Sequence, residues 1–237
     1  MVTRSLHVNR DIILATKRQT LKERQKQMPT GAILALAQMR ERPRYLLATV
    51  EDRGRVALIG QVTRTQMYDP VSTALRFIKE GADSISFFTD HAIYDTDHDD
   101  MLLVARGLQK TPIIYQNYVL DEYGVMAARA SDASAIMIYA SLLNETMLRR
   151  VVSMTQRWKM TALVQASTPE QLYAAIRLSP HTVCYGDNLS ENIERPLAEL
   201  QDLRDTVPHH VKIMLSQAIQ TFDDAEAVIR SGVDAII

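Results

Sequence analysis

The 237-residue sequence predicts an α/β fold of the closed (β/α)8 barrel type. Three observations carry this. Short β-branched runs alternate with longer segments of helical period, so that helices separate every pair of strands. Eight such runs can be counted. A weak internal repeat, Gly81-Ala82-Asp83, Asp132-Ala133-Ser134 and Gly232-Val233-Asp234, joins helix ends to strand starts, its third positions lying 51 and then 100 residues apart. No Gly-rich dinucleotide fingerprint follows the first strand, which counts against an open doubly wound sheet.

The strands are expected at Val56-Gln61, Ser84-Phe88, Pro112-Gln116, Ala135-Tyr139, Thr161-Gln165, Thr182-Tyr185, Val211-Leu215 and Val233-Ile237. Each is short, apolar and rich in β-branched residues, as strands buried on both faces are. Between them lie amphipathic helical segments such as Pro70-Glu80 and Asn144-Trp158. Ser167-Thr168-Pro169-Glu170 is a helix start, with a hydroxyl to cap, an early proline and an acid in the first turn. Before the first strand, the charged stretch Asp11 to Gln27 and the more apolar Ala32-Met39 read as two helices of an extension. The domain prediction is therefore a single barrel unit over 1–237, with a helical extension over 1–50 and the barrel over 55–237. The helix that normally follows an eighth strand is missing after Ile237, so either the chain is a fragment or the last strand is left partly uncovered.

Composition narrows the function classes. With 46% hydrophobic and 23% charged residues, a sizeable core is available to one large domain. The 27 basic and 28 acidic residues are spread along the chain, so no long-range field attracts nucleic acid or an anionic membrane, and neither is expected as a partner. The single cysteine, Cys184, sits in an apolar run and can build neither a disulfide framework nor a cysteine zinc site. A polar, basic N-terminus without an apolar stretch, and no run near the ~20 residues that cross a bilayer, fit a cytoplasmic protein.

At the strand ends the residues resemble one family. Ser86-Phe87-Phe88-Thr89-Asp90 followed by Ile93-Tyr94, the run from Pro112 to Asp121, and Leu163 to Thr168 are similar to the indole-3-glycerol phosphate synthases of tryptophan biosynthesis. The resemblance spans about Asp11 to Ile237. It implies a barrel enzyme that closes a pyrrole ring on carboxyphenylamino-deoxyribulose phosphate, losing carbon dioxide and water, with no metal or organic cofactor. It also implies proton-transfer residues that this chain lacks. Where the family has an acid and a lysine on the first strand, the sequence aligns Leu58 and Gly60, with Thr63 and Arg64 following. The third-strand lysine is matched by Gln116, beside Asn117, and the fifth-strand glutamate by Gln165. Tyr185, Gly186 and Asp187 stand against Asn-Asn-Arg, and Ser216 and Gln217 against Glu-Ser. An amide cannot release a proton near neutral pH.

The expectation is a catalytically degenerate synthase-like barrel. Thr63, Arg64, Asp90, Gln116, Asn117, Gln165, Tyr185, Asp187 and Gln217 are its candidates for binding a small phosphorylated or aromatic ligand. An active carboxy-lyase using Asp90, Asp187 and Arg64, and an interaction protein with a tryptophan-pathway partner or a second copy of itself, are the alternatives. Tyr118, Tyr139 and Tyr185 are read either as pocket-lining groups or as barrel packing, and Arg64 as an anion contact or a surface residue. The acid-rich segment 91–100 lacks the glycine turn and ligand spacing of a calcium loop. It reads as a solvated loop whose acids favour the next helix N-terminus. Cys184 reads as an inert thiol, and His209 and His210 as exposed loop residues.

Overall fold

The computed structural model describes residues 10–51, 54–65, 67–90, 95–178, 180–186 and 193–237. Eight parallel strands close in sequence order: β1 (Ala57–Val62), β2 (Ser84–Phe88), β3 (Ile113–Gln116), β4 (Ala135–Tyr139), β5 (Thr161–Ala166), β6 (Thr182–Tyr185), β7 (Lys212–Leu215) and β8 (Ala235–Ile236). The ring shuts where Ala57 and Leu58 pair with Ala235 and Ile236. The predicted fold is the observed one, and the strand bounds differ from expectation by no more than two residues.

Two helices precede the barrel, α1 (Arg10–Gln27) and α2 (Thr30–Gln38). Seven more join the strands in turn: α3 (Pro70–Lys79), α4 (His98–Gly107), α5 (Glu122–Ala130), α6 (Glu145–Arg157), α7 (Pro169–Ile176), α8 (Glu194–Leu203) and α9 (Phe222–Arg230). Local chemistry starts most of them. Asp69, Asp97, Asp121, Asn144, Thr168 and Thr221 each accept a backbone N–H of the first turn. Asp97 forms a reciprocal capping box with Asp100, so the acids of that segment serve the α4 N-terminus as the sequence suggested. His91 to Tyr94 and Asp187 fall outside the described residues.

The internal repeat has a structural basis. Its first positions, Gly81, Asp132 and Gly232, all take left-handed backbone (φ 107°, 64° and 73°) where a helix ends and turns into a strand. Glycine and aspartate tolerate that conformation best. Asp83 and Asp234, at third positions, then accept the N–H of the neighbouring strand, from Leu58 at 2.9 Å and Ile213 at 2.8 Å. Both carboxylates also hold a cation, Arg55 and Lys212 respectively.

Side chains alternate between two cores. The inner one fills the barrel with Ala57, Ile59, Ile114, Ala135, Met137, Leu163, Cys184, Met214 and Ala235. A 3-10 turn at Leu46–Thr49 closes its N-terminal end, inserting Leu46 and Val50. The outer core lies between sheet and helices. On the flank of β8 and β1 that layer is thin: Leu58 is 44% exposed and, with Phe77, Ile219 and Ile236, lines a groove of about 420 Å³. No helix among the described residues covers it, and none is long and apolar enough to cross a membrane.

The extension is tied down at both ends. Ile33 and Ala37 of α2 pack on Tyr123, Met126, Ala127 and Ala130 of α5. After α2, Arg40 donates to the last carbonyl of α5, Ala130 O, at 2.7 Å, and Arg44 reaches Gln109 O, at 2.6 Å, beyond the C-terminus of α4. Arg129, 2% exposed, donates to Glu41 O and pairs with Asp132, which also holds Arg44. Helix α1 buries no residue completely; its Leu21 packs against the α2–α5 cluster, and Lys17 and Arg24 add polar contacts.

Candidate active site at the C-terminal barrel face

In a parallel barrel the inward residues at the C-terminal strand ends form the mouth. Counting two residues on from Ile59, Ile114, Leu163 and Met214 gives Gln61, Gln116, Gln165 and Ser216. The odd-numbered strands thus supply a top layer of three amides and a hydroxyl. Tyr139 of β4 joins it from the even set and tilts against Tyr118, with ring centroids 5.1 Å apart.

The first-strand expectation needs correcting. Leu58 and Gly60 face outward: Leu58 lies in the flank groove, and a Cβ on Gly60 would stand 2.8 Å from the Phe77 ring of α3. A shift of one residue exchanges the faces of a strand. The inward residues are Ile59 and Gln61, and Gln61 was missed. Tyr185 also turns away from the mouth, into the outer core, where its hydroxyl donates to Glu199 at 2.8 Å. Burial and that carboxylate push its ionisation far above the usual phenol range. Cys184 points inward instead, and burial pushes its thiol up to about 12, so it is no nucleophile near neutral pH.

Two amides are fixed as donors. Gln165 gives its Nε2 hydrogens to Gly186 O at 2.6 Å and Ser167 Oγ at 2.9 Å. Asn117 Nδ2 donates to Thr89 O at 2.9 Å and also lies within reach of Thr89 Oγ1 and the Tyr115 hydroxyl. Since a carbonyl oxygen only accepts, a carboxylate at either position would face it with repulsion. Gly186 itself is required there. It has φ 109°, and a Cβ would come within 2.7 Å of Ser216 O.

Gln116 is held more loosely. It is fully buried, its Oε1 lies 3.4 Å from Gln61 Nε2, and its own Nε2 has no hydrogen-bond partner among the described residues. Ser216 is 3% and Gln217 1% exposed. Thr63 is exposed, and Arg64 is engaged beside it, 3.1 Å from the Asp95 carboxylate and over the Tyr68 ring.

Beside this layer a cavity of about 730 Å³ opens between α1 and the ends of β2 and β3, within the size range of small-molecule sites. Asp90, 3% exposed, lies in its wall and is paired with Lys17 of α1 at 2.5 Å. Arg24 of α1 contacts the His98 ring at 2.6 Å, and the His98 Nε2 is 2.8 Å from the Tyr115 hydroxyl. Desolvation, then Arg24 and Lys17, hold His98 well below its ordinary pKa, so its ring is neutral at pH 7. Among the described residues no group of three His, Cys, Asp or Glu is placed to hold a metal ion.

Comparison with known proteins agrees with this geometry. The family model for indole-3-glycerol phosphate synthase matches residues 10–237. Among curated relatives, the indole-3-glycerol phosphate synthase of Zymomonas mobilis subsp. pomaceae is 21% identical over 95% of this chain and 89% of its own. That of Chromobacterium violaceum is 25% identical with the same coverage. Among solved structures, N-acetylmannosamine-6-phosphate 2-epimerase from Clostridium perfringens superimposes with a TM-score of 0.62, at 17% identity over 84% of this chain and 91% of its own. That likeness concerns the fold alone. A barrel with this strand order, an N-terminal extension and a family match over nearly its whole length belongs to the indole-3-glycerol phosphate synthase family.

Proposed function

We propose that this family member has lost acid–base catalysis and binds a small metabolite at the C-terminal face of its barrel. The observation that carries the reading is the top layer, Gln61, Gln116, Gln165 and Ser216, none of which exchanges a proton near neutral pH. A positioned acid or base contributes roughly 10²–10⁴-fold to a rate, so losing two removes most of what such a site does. Among the described residues, Asp90 and Arg64 near the mouth are otherwise committed, Asp90 to Lys17 and Arg64 to Asp95. Of the two ligand classes expected, an aromatic one has the tilted Tyr118 and Tyr139 rings to pack against.

An active synthase is the second reading, supported by the curated relatives that carry that name along nearly the whole chain. It would need substitute groups, with Asp90 the described candidate. Complementation separates the two readings. Expressed in a bacterial strain lacking its own synthase, the protein is expected not to restore growth without tryptophan. Restored growth that persists in an extract assay would favour the active enzyme.

A further inference from the structure

The cavity beside the mouth lies outside the ring of strands. Its wall is made by α1, by Tyr115 of β3, which belongs to the outer core, and by the segments that open α4 and α5. None of Gln61, Gln116, Gln165 and Ser216 lines it. At about 730 Å³ it has room for a small molecule, and Leu21, Met28, Val119 and Leu120 give it an apolar side.

The polar side is one connected chain of contacts. Arg24 Nη1 lies 2.6 Å from both ring nitrogens of His98, the His98 Nε2 is 2.8 Å from the Tyr115 hydroxyl, and that hydroxyl receives Asn117 Nδ2 at 3.2 Å. All four residues line the cavity. A guanidinium carries five donors in a planar fork that matches a carboxylate. Here it meets uncharged groups, the neutral His98 ring and the Tyr123 hydroxyl, and no carboxylate among the described residues pairs with it. A half-buried cation without a counter-charge favours the arrival of one. Asn117, 6% exposed, gives its amide hydrogens to Thr89, and its Oδ1 has no hydrogen-bond partner among the described residues.

The acids of the wall are already accounted for. Asp90 holds Lys17, Asp97 and Asp121 cap α4 and α5, and Glu23 and Asp99 are exposed to solvent. One positive charge is left to be matched. A second negative charge on a ligand would find no counter-ion among these carboxylates.

We infer that this cavity is a binding site for a small organic monocarboxylate with an apolar body, its carboxylate received by the Arg24 fork and a hydroxyl beside it by Asn117 Oδ1. The site stands apart from the mouth and does not require the mouth to bind a metabolite.

Two probes that differ in charge test it, 3-phenyllactate and 3-phenyllactamide, with dissociation constants measured by calorimetry on the full chain. The acid is expected to bind about tenfold or more tightly than the amide, as a charge-assisted pair implies. Arg24→Gln is expected to erase that preference. Arg18→Gln, which removes an equal charge from an exposed position of α1 away from the wall, is expected to preserve it. Equal or tighter binding of the amide overturns the inference, and so does binding of neither probe; both results come from the wild type and need no variant to fold. A preference that survives Arg24→Gln, or is lost in Arg18→Gln as well, overturns the assignment to Arg24. Phenyl phosphate bound more tightly than the acid overturns the match to a single charge.

Discussion

Restoring the family's acid on the fifth strand, by Gln165→Glu, is expected to destabilise the protein rather than revive it. In place of two hydrogen-bond donors, the substitution presents a carboxylate to the Gly186 carbonyl, which sits 2.6 Å from the present nitrogen. The group is 6% exposed, so water cannot relieve the contact. An unsatisfied acceptor and a buried charge together are expected to cost about 3 kcal/mol. In a domain of this size that lowers the melting temperature by roughly 6–12 °C. The sign with pH is fixed: burial raises the new carboxyl's pKa above its unfolded value, so the folded state binds the extra proton. The deficit is therefore smallest in acid, where the protonated carboxyl of the variant can donate to Gly186 O, and grows as pH rises. Gln165→Leu, which loses the bond without adding charge, should fall between the wild type and the glutamate variant and show no such dependence. Thermal melts of the three proteins at pH 5 and pH 8 decide it; an unaltered melting temperature for the glutamate variant would mean that Gln165 is not held as described.

Arg129→Met is expected to cost a similar amount for a different reason. The guanidinium is buried among the α5 C-terminus and the segment after α2, bonded to Glu41 O and Asp132. Desolvation lowers its pKa, with Asp132 opposing. Methionine keeps the bulk and removes every donor. Glu41 O then loses its buried side-chain donor, while Asp132 keeps Arg44 at 3.1 Å. That residual partner places the loss at the lower end for a broken buried pair, about 2–3 kcal/mol. The effect should be local before it is global, with limited proteolysis cutting near residues 39–45 faster than in the wild type. Arg129→Lys, which keeps the charge but not the planar fork, should recover part of the loss.

Most of the fold was legible because parallel barrel strands are short, β-branched and separated by capped helices, and these are local signals. Thr168-Pro169-Glu170 and the repeat at Gly81, Asp132 and Gly232 identify their own structural roles. The site was legible in residue type and less so in direction. The run from Ala57 to Val62 has an apolar Leu58 on its exposed face and a Gly60 with no side chain to place, so hydrophobicity cannot tell inward from outward there. Around Tyr185 every strand residue is buried, and alternation carries no information about which core it enters. The contacts of α1 were beyond reach for another reason. Lys17 and Asp90 are 73 residues apart, and nothing local to either predicts the other. Gln61 could have been found by fixing the first-strand register from Ile59 rather than from the resemblance.

The direct test of a mouth without proton-transfer groups is turnover of carboxyphenylamino-deoxyribulose phosphate by the purified protein. Indole product fluorescence would be followed at high enzyme concentration from pH 5 to 9. No rate above the uncatalysed background is expected at any pH, in the wild type or in Gln116→Ala. A wild-type rate that rises and falls with pH and disappears on substituting Asp90 or Lys17 would contradict the account, because it would show a working acid or base where the structure has paired both.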